Sequence, residues 1–211
     1  MCSSDLWDAA DGFAAGDLVD DLEAFADELG LDAFHLVGFS MGGMTALAFA
    51  ARRPERLLSL VVAGIVPDRE PRASVARRTM DPERIERDDR AWAAELARLH
   101  DPVQGSGAWR RLLPAIAADV ATQPLLTARD LHGITAPTLV SCGDRDPYVP
   151  VTKAEALAHQ IHGGHLLVVP DAGHRILLTH PTIVGAALTS FYRARASVTL
   201  RPAEASQEDP R

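Results

Sequence analysis

His35-Leu36-Val37-Gly38-Phe39-Ser40-Met41-Gly42-Gly43-Met44 is the stretch that decides how this chain is read. An apolar run enters Gly-x-Ser-x-Gly-Gly, and the helix-forming stretch Thr45-Ala46-Leu47-Ala48-Phe49-Ala50-Ala51 follows at once. The pattern predicts a strand, a sharp turn and a helix, with Ser40 on the turn. A serine hydroxyl is a poor nucleophile, so acyl chemistry needs it exposed where a base can reach it. Small residues on both sides let the backbone turn tightly and let helix and strand approach closely. The helix that begins just after Ser40 turns its free N–H groups and positive dipole end toward charge developing on an attacked carbonyl.

Two later segments extend the reading. Pro137-Thr138-Leu139-Val140-Ser141-Cys142-Gly143-Asp144-Arg145-Asp146-Pro147-Tyr148-Val149-Pro150 reads as a buried strand ending in a Gly-x-x-Asp-Pro loop. Leu166-Leu167-Val168-Val169-Pro170-Asp171-Ala172-Gly173-His174 reads as a strand followed by a short loop ending in Gly-His. In this order the three segments resemble the α/β-hydrolase superfamily, in outline from about residue 18 to 194. The resemblance implies an α/β fold: a mostly parallel sheet with helices on both faces and a helical cap inserted between core strands. It also implies a serine hydrolase that cleaves a carboxylic ester or related acyl bond through an acyl-enzyme, with no metal or organic cofactor.

Carried onto this sequence, the family pattern makes Ser40 the nucleophile and the Met41 backbone N–H one oxyanion donor. The Gly-x-x-Asp spacing from Gly143 selects Asp146 as the acid, with Asp144 as the alternative and a solvated turn residue otherwise. Of the eight histidines, only His174 lies in a loop just beyond the carboxyl end of a strand, where ligands gather in open α/β sheets. Asp171, close by in sequence, reads as a turn former. Phe39, Trp92 and Trp109 are candidates for the substrate pocket, against the plainer role of fastening helices to the core. The arginines of residues 69–90 alternate with acids and read as a solvated helix face. Serine at the nucleophile position argues against haloalkane dehalogenases and epoxide hydrolases, which carry aspartate there. Thioesterase, lactonase, carbon–carbon hydrolase, cofactor-free haloperoxidase and acyltransferase chemistries share the fold and stay open.

Composition bounds the rest. With 211 residues, 47% of them hydrophobic, the chain is long enough for one sizeable core. A net charge of −8 disfavours nucleic acid or an anionic membrane surface as partner, and the resemblance implies a small-molecule acyl substrate instead. No apolar run approaches the ~20 residues of a membrane span, and no secretory pattern opens the chain. Its two cysteines, Cys2 and Cys142, suggest no disulfide or metal framework, so a reducing cytoplasm is the expected setting. One lysine, Lys153, against many arginines and alanines fits codon bias in a GC-rich bacterial genome.

Along the chain the period predicts an amphipathic helix at 15–29, with Leu18, Leu22, Phe25, Ala26 and Leu29 on one face. Next come a strand at 34–39, a helix at 41–53 and a strand at 58–63. Residues 7–67 and 125–195 form the expected core and 68–124 a helical cap, with helices around 81–98 and 109–122. The core resumes with a strand at 138–142, a helix near 151–161, a strand at 165–169 and a helix at 181–195. Residues 196–211 are polar without a period and read as a disordered tail. Only about thirty residues precede the nucleophile strand, and no His-Gly loop lies among them. The resemblance therefore implies that the first strands of the sheet and the second oxyanion donor are missing. A catalytically incomplete fragment, or an esterase-like binding module, is the rival expectation. Residues 1–6, Met-Cys-Ser-Ser-Asp-Leu, match translation of a sequencing-adapter end, GTG TGC TCT TCC GAT CT, and read as a non-native leader with the protein entering near Trp7.

Overall fold

The apolar runs pair as four parallel strands: β1 Phe34–Phe39, β2 Leu57–Ala63, β3 Thr138–Gly143 and β4 Gly164–Val169, in that spatial order. The computed structural model describes residues 15–199, so the leader expected at 1–6 and residues 200–211 of the expected tail lie outside the described residues. Parallel neighbours need a crossover, and each one here carries helix. Helix α1 is Ala15–Glu28, and α2 Met41–Arg52 links β1 to β2. Between β2 and β3 lie α3 Arg72–Thr79, α4 Pro82–Asp88, α5 Arg90–Gln104, α6 Ala108–Thr122 and α7 Ala128–His132. Helix α8 Val151–Gln160 links β3 to β4, and α9 Ile176–Thr179 and α10 Pro181–Thr199 follow.

Alternation along the strands sorts the two faces. Leu60, Val62, Val140 and Cys142 pack in one layer with Leu47 and Phe49 of α2 and Leu157 of α8. Val61 and Leu139 point the other way, onto Phe191 of α10. Each such side chain withdrawn from water contributes roughly 1.5–3 kcal/mol, which fixes which residues of each strand face which layer. The register sets Phe39, Ala63, Ser141 and Leu167 level across the sheet. The carboxyl ends of all four strands therefore open on one side.

Local signals explain several departures from the expected elements. In α1, Val19 and Ala26 are buried and Leu22 packs on the core, whereas Phe25 and Leu29 are 55% and 56% exposed. The buried stripe is 19, 22, 26, rotated from the expected one. Ion pairs accompany that roll: Asp20 meets Arg52, Glu23 lies 2.6 Å from Arg53, and Asp27 lies 2.9 Å from Arg56. The helix expected around 81–98 is broken in two, because Asp81 and Asp89 each accept backbone N–H groups as caps, Asp89 from Trp92 at 3.0 Å. Helix α3 was not foreseen. Its Ala73 and Ala76, with Met80 just past its end, pack on Ile116, Ala117 and Val120 of α6, a spacing of three and four that two alanines scarcely announce. Helix α10 runs to Thr199, four residues into the expected tail, since Arg195-Ala196-Ser197 offers nothing to stop it.

Strand β3, with a neighbour on each side, is buried throughout. Strand β1 pairs with β2 alone among the described residues, and Val37 on it stays 47% exposed.

Candidate active site

Ser40 follows β1 directly and caps α2, with φ 52° and ψ −119°, a conformation L-residues rarely adopt. The surroundings over-determine it. Its N–H donates to Ala63 O at 2.8 Å, while its own carbonyl accepts from Gly43 and Met44 at 2.9 and 3.1 Å. The turn also needs bare backbone at Gly38, where a Cβ would stand 2.3 Å from Gly42 O and 2.7 Å from Gly43 Cα. Met41 is the first residue of α2, so its N–H has no acceptor within the helix and faces outward beside Ser40.

The loops after β3 and β4 meet over this turn. Backbone bonds carry the sheet ladder past the strand ends, from Gly64 N–H to Ser141 O at 2.8 Å and from Arg145 N–H to Ala172 O at 3.0 Å. Gly143 makes that crossing possible, because a Cβ there would sit 2.0 Å from Ala172 O. His174 is delivered onto Ser40: its Nε2 lies 2.9 Å from Ser40 Oγ. Its Nδ1 lies 2.9 Å from Asp146 Oδ2, and the Asp146 side chain is fully buried. The other Asp146 oxygen accepts the Tyr148 N–H at 2.8 Å. Rings of Tyr148 and Phe39 flank the imidazole at centroid distances of 4.5 and 5.1 Å. An imidazole bonded on both nitrogens, with a buried carboxylate behind it, can take a hydroxyl proton in front while keeping one tautomer.

Asp144 is exposed and accepts the Ala172 N–H at 3.1 Å, so it fastens the two loops together without touching His174. Backbone hydrogen bonding there, from Asp171 foremost, holds its carboxyl below the usual range. Asp171 is a left-handed turn residue at φ 55°, paired with Arg145 at 2.5 Å. Behind the site, burial pushes the Cys142 thiol up to about 11, with the charges of Asp146 and Asp144 acting the same way.

A narrow pocket opens beside Ser40 and His174 between the sheet and the helices after β2, walled by Ile65, Ala76, Met80, Ile116 and Val120. Trp92 and Trp109 lie away from it. Trp92 is 41% exposed, and Trp109 is 3% exposed within a separate cluster with Ile85 and Leu96. Trp109 packs α4, α5 and α6 together while Trp92 faces outward, so the expected pocket role is corrected for both. Phe39 touches His174 instead of lining the pocket.

Sequence reasoning missed these walls, and with them two polar pocket residues, Tyr148 and Arg72. Tyr148 raises a wall, with its hydroxyl bonded to Thr79 of α3. Arg72 belongs to the arginine-rich stretch expected to be solvated, yet it is 4% exposed and lines the pocket. Only the alanines at 73 and 76 beside it hint that this turn faces inward. Among the described residues no cluster of His, Cys, Asp and Glu is placed to hold a metal ion, and no helix is long and apolar enough to cross a membrane.

Comparison with known proteins agrees with this architecture. A model of the alpha/beta hydrolase family matches residues 5–187. The pimeloyl-[acyl-carrier protein] methyl ester esterase of Neisseria meningitidis is 29% identical over 215 residues, covering 89% of this chain and 74% of the relative. The 2-hydroxy-6-oxononadienedioate/2-hydroxy-6-oxononatrienedioate hydrolase of Klebsiella pneumoniae is 29% identical over 173 residues, covering 72% of this chain and 60% of the relative. The crystal structure of NosK from Streptomyces actuosus superposes with a TM-score of 0.69 at 30% identity, over 86% of this chain and 77% of that one.

Proposed function

Because this chain belongs to the alpha/beta hydrolase family, we propose that it cleaves a carboxylic ester or related acyl bond through an acyl-enzyme on Ser40. The observation that carries the reading is His174 standing between Ser40 Oγ and the buried Asp146 carboxylate at 2.9 Å on each side. His174 takes the Ser40 proton as Oγ attacks the carbonyl, and Asp146 holds the tautomer and stabilises the imidazolium that forms. The Met41 N–H, at the positive end of α2, receives the oxyanion. His174 then protonates the leaving group and afterwards activates water to free the acyl group. The strained Ser40 backbone supports the same role, since such conformations persist where surrounding structure forces them and gather at functional sites.

The methyl ester esterase among the relatives favours an ester over other acyl bonds. Within the same reading, residues 68–124 act as the cap over the pocket. A fluorophosphonate probe tests the nucleophile directly. Labelling confined to Ser40 by peptide mass spectrometry, and abolished in His174→Ala, is the expected result. Labelling elsewhere, or labelling indifferent to His174, would defeat the reading.

A further inference from the structure

The pocket beside Ser40 holds a buried guanidinium that the hydrolytic steps leave unused. Arg72, the first residue of α3, shares the pocket with Ser40 and His174 and is 4% exposed. Its Nε donates to the Asp68 carbonyl at 3.2 Å. Its Nη2 is buried with no hydrogen-bond partner among the described residues. A guanidinium donor stripped of water and given no acceptor is rare in folded proteins, because its lost hydration is not replaced.

The neighbouring charges are mostly engaged elsewhere. Asp68 lies 3.1 Å from Lys153, and Arg69 donates to the carbonyls of Ala121 and Gln123. Asp119 on α6 also lines the pocket and, with Asp68, favours the charged guanidinium. Burial first, and Arg69 second, weigh against that charge. Of the other walls, Met44, Ile65, Ala76 and Val120 are apolar, while Gln123 and Tyr148 carry polar side chains, the Tyr148 hydroxyl paired with Thr79. What Arg72 Nη2 lacks is an oxygen that accepts from it.

We infer that Arg72 is a specificity-determining residue that anchors the far end of the acyl group, and that this end carries a carboxylate. The favoured substrates are then half-esters of short dicarboxylic acids, in preference to esters of plain fatty acids. The inference rests on the acyl-enzyme reading of Ser40. A carboxylate fits better than a neutral carbonyl because arginine stays charged and presents a planar fork of donors that matches carboxylate geometry.

The test compares monoethyl glutarate and monoethyl adipate with ethyl pentanoate and ethyl hexanoate, on wild type, Arg72→Met and Arg72→Lys. The wild type is expected to favour the half-esters by about tenfold or more in kcat/KM, as a charged hydrogen bond in a water-poor site implies. Arg72→Met should lose that preference, the half-esters falling about tenfold further than the neutral esters, with Arg72→Lys between. Calorimetry of free glutarate and adipate on Ser40→Ala, with and without Arg72→Met, separates the two readings. Binding that depends on Arg72 without turnover of any ester by wild type would uphold Arg72 and sink the Ser40 reading. Equal kcat/KM for both ester classes in wild type, or diacid binding that survives Arg72→Met, would overturn the anchor. Should Arg72→Met fail to melt cooperatively, the wild-type ester pairs and Arg72→Lys decide.

Discussion

On the sheet side of the pocket, Ser40, Asp146 and His174 lie one, three and five residues past the ends of β1, β3 and β4, and backbone hydrogen bonds continue the ladder into their loops. On the helical side, Arg72, Ala76, Met80, Ile116 and Val120 come from α3 and α6. That wall meets the sheet through a few side-chain links, Thr79 to Tyr148 and Lys153 to Asp68 and Glu70. The two walls differ in what fixes them. A group three residues past a strand end has almost no freedom once the ladder is set, whereas a helix on a small apolar face can roll or shift at little cost. On the proposed reading, chemistry belongs to the rigid wall and selection to the adjustable one.

Removing the reacting groups gives the sharpest contrast. Ser40→Ala or His174→Ala should each lower kcat by about 10⁶-fold on any ester the wild type hydrolyses, and the double variant should be little worse, because such groups act as a unit. Thermal melts of all three should stay close to wild type. Ser40→Ala with near wild-type turnover would remove the chemistry from the sheet wall altogether. Asp146→Asn should follow with a loss of about 10⁴-fold at unchanged fold, through the wrong imidazole tautomer. Asp144→Asn, at the bond that joins the two loops, should change turnover by less than tenfold. The reverse pattern would shift the acid to the outer aspartate.

Substitutions on the helical wall should act on selection and on stability instead. Ile116→Ala, at a nearly buried position facing the pocket, should cost about 2–4 kcal/mol of stability by the cavity it leaves. Acceptance of bulkier acyl groups should improve by about tenfold relative to the smallest. A steady-state series over acyl chain length, together with a denaturant midpoint, measures both. A uniform fall in kcat across the series would mean that α6 helps to position the reacting groups, and the division between walls would fail.

The same division explains what was legible in the sequence. Strand β1, the turn at Ser40 and the two later loops could be read because each depends on local pattern: an apolar run, glycines where a Cβ would collide, and a polar residue at a fixed offset. A Cβ on Gly38 or Gly143 would stand 2.3 or 2.0 Å from a backbone oxygen, a clash that no residue but glycine avoids. The helical wall offered no such signals. Arg72 is buried because α3 lies on α6, a fact of packing between segments some forty residues apart, and its neighbours Arg69, Arg77 and Arg78 make the stretch look solvated. Trp92 and Trp109 misled for the same reason, since a tryptophan's bulk says that it packs without saying against what. The roll of α1 brings Asp20, Glu23 and Asp27 to Arg52, Arg53 and Arg56, partners too far along the chain for helical period to register.

The smallest expected effect separates the walls by their openings. Cys142 lies in β3 behind the site, fully buried, and its thiol is pushed up to about 11 by burial. At pH 8 the native protein therefore offers almost no thiolate, and a thiol reagent must wait for the sheet to open. In a Cys2→Ser background Cys142 should label at the rate of global unfolding. A probe cysteine at Val120 of α6, also nearly buried, should label at least tenfold faster through local opening of the helical wall. The pH dependence has a definite sign. The native thiol keeps its proton to a higher pH than an unfolded one near 8.5, so its contribution to stability is whole below about 8.5 and is lost as the pH rises through 11, by up to ~1.4 kcal/mol per unit. Cys142→Ala should flatten that alkaline decline. Equal labelling rates at 142 and 120 would show that sheet and helices open as one body, and the contrast between a rigid and an adjustable wall would be lost.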